Sequence, residues 1–139
     1  MEDLIDGAMT FEAETDGLRV AVQSYFLDDQ SDPDNAQFVW AYRIKIINDT
    51  DRTVQLLNRH WIITDASGIV KEVKGEGVIG EQPIIGPGQW FVYTSGTPLG
   101  TSSGFMRGSY EMQDEDGEHF FIEIPTFSLD SPHYSMKVN

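Results

Sequence analysis

Between Gly68 and Gly108, ten glycines and three prolines (Pro83, Pro87 and Pro98) leave no uninterrupted stretch longer than seven residues. A globular helix needs about eight or more residues free of such breakers. This stretch is therefore excluded from ordinary helix and must be made of short strands and turns. Residue choice along the whole chain agrees, with 30 Val, Ile and Thr against 13 Ala and Leu, a bias toward side chains that suit a pleated surface.

Alternation places the strands. Phe38, Trp40, Tyr42, Ile44 and Ile46 form one row against another containing Arg43 and Lys45, which predicts a half-buried strand over 38–47. Leu18, Val20, Val22 and Phe26 give a second row over 18–27, and Val54 to Thr64 reads as a long strand after a turn at Asn48-Asp49-Thr50-Asp51. Shorter strands are expected at 69–73, 78–79, 90–94, 105–112 and 119–124, the last two flanking an Asp114-Glu115-Asp116-Gly117 hairpin turn. Ser95 to Gly104 reads as the longest loop, a common carrier of binding. Seven or eight strands in 139 residues point to one all-β domain over 1–139, a sandwich in preference to a small barrel. The acidic end 1–16 and the polar end 128–139 lack clean periodicity and are expected to be flexible.

The chain has no cysteine, which removes disulfides, thiolate metal sites and cysteine nucleophiles. No apolar window is long enough for a membrane helix, and Met1 to Asp6 lacks the basic start and apolar run of an export signal, so a cytoplasmic protein without membrane insertion is expected. Net charge is −14 and unevenly spread: residues 1–36 carry ten acids and one base, whereas 37–110 carry six acids and seven bases. Such a field opposes general nucleic-acid binding but permits a local anion site. Asp28 to Asn35 is rich in oxygen ligands, yet Pro33 and Val39 occupy places where a calcium loop needs glycine and a bidentate glutamate. That segment is read as a solvated loop, and no metal ligands are assigned.

Gly75-Glu76-Gly77-Val78-Ile79-Gly80 matches the G-x-G-x-x-G string of dinucleotide-binding turns. Those turns require a helix next, and Pro83, Gly86, Pro87 and Gly88 forbid one here, so the Rossmann reading fails. What remains is a glycine-rich β loop whose N–H groups at Gly75, Gly77 and Gly80, with the nearby bases Lys74 and Arg59, could hold a phosphate. Arg59 and Trp61 share one strand face and His60 the other, where a buried, hydrogen-bonded histidine is expected. Trp90-Phe91-Val92-Tyr93 must divide four bulky residues between two faces, and an aromatic left exposed there would mark a partner site. No histidine pair, nucleophile elbow or Walker lysine occurs, so no catalytic residue, enzyme activity or cofactor is assigned.

Several motifs together carry a family resemblance: Asn58-Arg59-His60-Trp61-Ile62-Ile63-Thr64-Asp65, Glu72 through Pro83, Pro87-Gly88, Tyr93 through Leu99, and Gly104 through Tyr110. In this order they closely resemble the ApaG (CorD) family in its stand-alone bacterial form, over about residues 15–130. The resemblance implies an immunoglobulin- or fibronectin-III-like sandwich in which strands 37–47 and 53–64 lie in opposite sheets. It also implies an association with cobalt resistance and magnesium efflux, and a suggested pyrophosphate or nucleotide role for the stretch carrying Gly75, Gly77 and Gly80. Related domains in F-box and polymerase-interacting proteins act in protein interaction. The expectation is a non-enzymatic binding or regulatory module that affects efflux indirectly, through a protein partner. The alternative is a pyrophosphate- or nucleotide-binding protein. An exposed edge strand could pair with another chain or form a homodimer.

Overall fold

The computed structural model describes residues 3–133, which hold nine strands, two short 3₁₀ turns and no α-helix. In chain order the strands are β1 (Phe11–Thr15), β2 (Leu18–Phe26), β3 (Phe38–Asn48), β4 (Val54–Asp65), β5 (Val70–Glu76), β6 (Ile84–Ile85), β7 (Trp90–Leu99), β8 (Gly104–Asp114) and β9 (His119–Leu129). One antiparallel sheet has the order β1-β2-β3-β7, and the other has β5-β4-β8-β9 with β6 beside β4. The two sheets face each other in the immunoglobulin-like sandwich that the family resemblance implied.

The alternation on β3 explains the core. Phe38, Trp40, Tyr42, Ile44 and Ile46 are all buried, as are Leu18, Val20 and Val22 of the neighbouring strand. They meet Leu56, Trp61, Ile63, Met106, Tyr110, Met112, Ile122, Ile124 and Phe127 of the other sheet. Fully burying such a side chain stabilises by about 1.5–3 kcal/mol. Three rings link the layers, with Tyr42 and Trp61 centroids 5.3 Å apart and Trp61 and Phe127 5.9 Å apart. One flank of the sandwich is closed where β9 packs on the first two strands, through Phe11 against Phe127 at 6.4 Å and the Ser24 hydroxyl donating to Ser128 O at 2.9 Å.

Asn48 ends β3 where the chain crosses to the opposite sheet, so no hairpin ladder joins β3 to β4. Its side chain is fully buried. The amide nitrogen donates to Arg52 O at 2.7 Å and Ile85 O at 3.0 Å, while its oxygen accepts from the Thr50 N–H and hydroxyl. Only an amide supplies both donors and an acceptor at one place.

The structure moves several boundaries. β1 lies within the acidic end 1–16, and β9 runs two residues into 128–139; residues 134–139 of that end lie outside the described residues. Val78 and Ile79 are part of a turn and not a strand. Residues 95–99, expected as loop, continue β7 because every one of them pairs with β3. That pairing overrides the local signals of Gly96 and Pro98, leaving a connection of only 100–103. The Asp114 to Gly117 hairpin is present as expected, with Asp114 Oδ1 accepting from the N–H groups of Asp116 and Glu118.

Asn48 has a checkable energetic role. Asn48→Ala should lower urea-measured stability by about 2–4 kcal/mol, because two carbonyls and a backbone N–H lose their buried partner. Asn48→Asp should cost more at pH 7, since a carboxylate faces two carbonyl oxygens, and the difference should shrink as pH falls and the acid protonates.

Candidate functional site

The site starts with one extra residue. β4 pairs with β8 through Leu56↔Met112 and then Asn58↔Glu111, so Leu57 is a bulge. Before it, Val54 and Leu56 point into the core, and after it Trp61 and Ile63 do, so the inward set changes from even to odd numbers. Arg59 is thereby placed on the inner face of the sheet.

The Leu57 carbonyl accepts from the Gly77 N–H at 2.8 Å and from the Gln82 amide at 2.9 Å. This ties down the glycine segment, which leaves β4 after Glu76 and returns as β6. At its tip Val78 and Glu81 exchange both backbone hydrogen bonds, at 2.8 and 2.9 Å, around Ile79 and Gly80, with φ values of 42° and 79°. Two positive φ values in a two-residue turn are the type I′ arrangement, which favours Asn-Gly, and a β-branched residue is strained there.

Carbonyls of this loop then hold the arginine. Arg59 Nη1 donates to Glu76 O at 3.0 Å and to Gly77 O at 2.9 Å, and the guanidinium occupies the space a side chain at residue 75 would fill. A Cβ at Gly75 would sit 2.5 Å from Arg59 Nη2, and one at Gly77, whose φ is +66°, would collide with Glu81 O. The close approach of the arginine requires glycine at the first position, and the turn requires it at the second.

Arg59 forms no ion pair with a carboxylate among the described residues. Its neighbours are the phenols of Tyr42, Tyr93 and Tyr110, all in its electrostatic range, and burial raises the pKa of each. They stay neutral and give the arginine no counter-ion. Tyr93 and Tyr110 hydrogen bond to each other across the two sheets, and Ser95 lines the same hollow as Tyr42.

Arg59 lines three adjoining hollows. Two lie on the flank where the terminal strands β5 and β7 face one another: about 340 Å³ beside Tyr93, Ser95 and Gly80, and about 220 Å³ beside Trp61, Val73 and Lys71. The third, of about 480 Å³, is bounded by Lys74, Gly75, His60, Glu111 and Phe121.

Of the residues singled out from the sequence, Arg59, Lys74 and Gly75 line one hollow, with Lys74 on the outer face beside His60 and the Arg59 side chain on the inner one, and Gly80 lies with Arg59 on another. Gly77 is buried, and its N–H is committed to Leu57. His60 is not buried as expected: it stands on the outer sheet face with Nε2 3.0 Å from Glu72 Oε2. Alternation sends it outward once the bulge has turned Arg59 and Trp61 inward. Beside it Glu111 accepts from Asn58 at 2.8 Å and lies 2.9 Å from His119 Nδ1, interactions that lower its pKa. The tyrosine cluster escaped the sequence reading because its members are distant in the chain, although Tyr93 and Tyr110 each lie in an alternating inward row. Among the described residues no group of three or more His, Asp or Glu is placed to hold a metal ion.

Comparison with known proteins returns one consistent result. Residues 28–114 match the model of the ApaG domain. Protein ApaG of Paramagnetospirillum magneticum is 60% identical over 125 residues, covering 90% of this chain and 96% of that protein, and Protein ApaG of Afipia carboxidovorans is 54% identical over 129 residues, covering 93% and 99%. A crystal structure of an ApaA protein from Bordetella pertussis superposes with a TM-score of 0.81 at 45% identity, covering 83% of this chain and 94% of that one.

Three substitutions test the geometry of the loop. Gly77→Ala should cost about 2–4 kcal/mol of unfolding stability, because backbone blocks the new methyl at a positive φ. Gly75→Ala meets only the flexible end of Arg59 and should cost about 1 kcal/mol or less while displacing the guanidinium. Ile79→Asn should stabilise by about 1 kcal/mol by relieving the turn. Thermal and urea unfolding of the three variants rank these effects directly.

Proposed function

This chain belongs to the ApaG family, and on that premise we propose that it is a non-enzymatic binding and regulatory module whose ligand site is the Arg59 cleft. The observation that carries this reading is the arginine itself. It is held by two carbonyls on the inner face of a sheet, in a cleft, with no carboxylate partner among the described residues. Ion pairing for stability does not need that placement, whereas an anionic ligand or partner does.

In this reading any effect on cobalt resistance or magnesium efflux is exerted through a partner protein. No helix among the described residues is long and apolar enough to cross a membrane. Calorimetric titration with cobalt and magnesium chlorides should give no tight stoichiometric binding; a stoichiometric site would overturn the indirect role.

The shared hollow of Arg59 and Lys74 supports a second reading, in which the anion is pyrophosphate or the phosphate chain of a nucleotide. Here the side-chain cations supply the attraction, since the N–H groups of Gly77, Val78 and Glu81 already serve the loop. Pyrophosphate titrated at low salt, with and without magnesium, should then bind saturably and more weakly as salt rises. Arg59→Gln should weaken it about tenfold or more. Flat heats would remove this reading and leave the protein-partner one standing.

A further inference from the structure

Besides the two-residue β6, which flanks β4 on the same side as β5, four strands terminate the two sheets, and three of these four carry the charges or proline that discourage pairing with another chain. β1 has Glu12 and Glu14, β5 has Lys71, Glu72, Lys74 and Glu76, and β9 has Glu123 and Pro125. β7 differs. Its ten residues, Trp-Phe-Val-Tyr-Thr-Ser-Gly-Thr-Pro-Leu, contain no charged side chain in a protein of net charge −14. It pairs with β3 on one edge and with no strand on the other among the described residues. Only Pro98, near its end, lacks an N–H.

The open edge borders the cleft. Tyr93 and Ser95 share one hollow with Arg59, and Ser95 to Pro98 share the next with Trp61, Ile63 and Val73. At the start of the strand Trp90 is 56% exposed, its ring lying 4.8 Å from Lys45 Nζ. Charge is sorted in the same place. Arg19, Lys45 and Arg52 are ion-paired, whereas Arg59 and Lys71, which line the cleft, have no ion pair among the described residues; nor do Lys74 and Arg107 outside it. By register Lys74 stands on the outer face between Glu72 and Glu76, opposite His60, and Glu76 also lines the hollow that Arg59 shares with Tyr93.

We propose that β7 is a strand-addition site for an extended segment of a partner protein, which adds a fifth strand to this sheet and places an acidic side chain on Arg59. The inference rests on the binding-module reading and names the chemistry of the partner. Main-chain hydrogen bonds along Trp90 to Thr97 supply affinity, and side chains on alternate residues supply specificity. Residues two apart on one strand face are separated by about 7 Å, which suits the two adjacent hollows. The carboxylate enters the one beside Tyr93, and an apolar side chain enters the one lined by Trp61, Ile63 and Val73. The recognised pattern is acidic-x-apolar in an extended stretch.

The test uses the full chain and phage-displayed random dodecapeptides, followed by synthesis of an enriched peptide. Three results are expected. Enriched sequences carry Asp or Glu two residues from an apolar residue; the labelled peptide shifts the amide resonances of Trp90 to Thr97; and N-methylation of alternate peptide bonds abolishes binding. Replacing the peptide acid by its amide should weaken binding about tenfold for the native protein and little for Arg59→Gln. The peptide-side change keeps the test valid if the arginine variant is unstable. Enrichment without an acidic preference, peptide shifts confined to the outer face around Phe121, or no enrichment would each overturn the proposal. So would a concentration-dependent dimer that occupies β7. Shifts around Phe121 would leave the binding-module reading intact, and pyrophosphate binding at Arg59 with no peptide enrichment would replace the partner by a small anion.

Discussion

The bulge at Leu57 is the constraint on which the cleft depends. A strand with strict two-residue alternation cannot send Leu56 and Trp61 to the same side, because five residues separate them. The unpaired residue changes the parity, keeps Trp61 in the core against Tyr42 and Phe127, and turns Arg59 inward with it. It also frees the Leu57 carbonyl to anchor the Gly77 N–H and the Gln82 amide. The glycine loop thus detours around the bulge, and its own carbonyls hold the arginine. Bulge, loop and cation form one causal sequence.

An inward-facing guanidinium is costly unless its donors are satisfied and some water reaches it. Two features lower that cost here: Nη1 has two carbonyl acceptors, and the flank between β5 and β7 is where the hollows lie. Stability alone favours an apolar residue at 59, a side chain at 75 and Asn in place of Ile79. All three local preferences are broken within one loop and its neighbour, as occurs where a protein retains a site at the expense of the most stable arrangement.

Much of the scaffold was legible because burial on one face writes a period of two into the sequence. β2 and β3 announce themselves in this way, and the motif resemblance assigned β3 and β4 to opposite sheets. Two strands escaped: β1 is five residues with its acids outward, and β6 is two residues long. The second half of β7 was hidden by Gly96 and Pro98, whose conformational signals yield to ten paired positions on β3. At the site, alternation correctly joined Arg59 to Trp61 but could not say that their shared face was the inner one, since that depends on which residue bulges. The glycine loop shows the same limit. Of the glycines expected to offer N–H groups to an anion, Gly77 gives its own to Leu57 O, and the carbonyls of Glu76 and Gly77 hold the arginine; backbone polarity in a loop is decided by pairings far away in sequence.

The distribution of paired charge sharpens what the cleft can attract. Asp3 reaches Lys45 at 2.9 Å and its carbonyl accepts from Arg43 at 3.2 Å, so the leading segment covers bases on the outer face of the first sheet. Arg19 and Arg52 are taken by acids at strand ends. These pairings quench most of the positive field away from β5 while the acids elsewhere keep the whole molecule negative. An extended polyanion such as duplex nucleic acid must approach that larger negative surface, whereas a single carboxylate or phosphate entering the cleft meets Arg59 within the screening distance of about 8 Å at physiological salt, with Glu76 the acid lining the same hollow. The segregation of charge selects against broad anionic surfaces and in favour of one compact negative group presented on an otherwise neutral or apolar segment, the chemistry that the uncharged edge of β7 also requires.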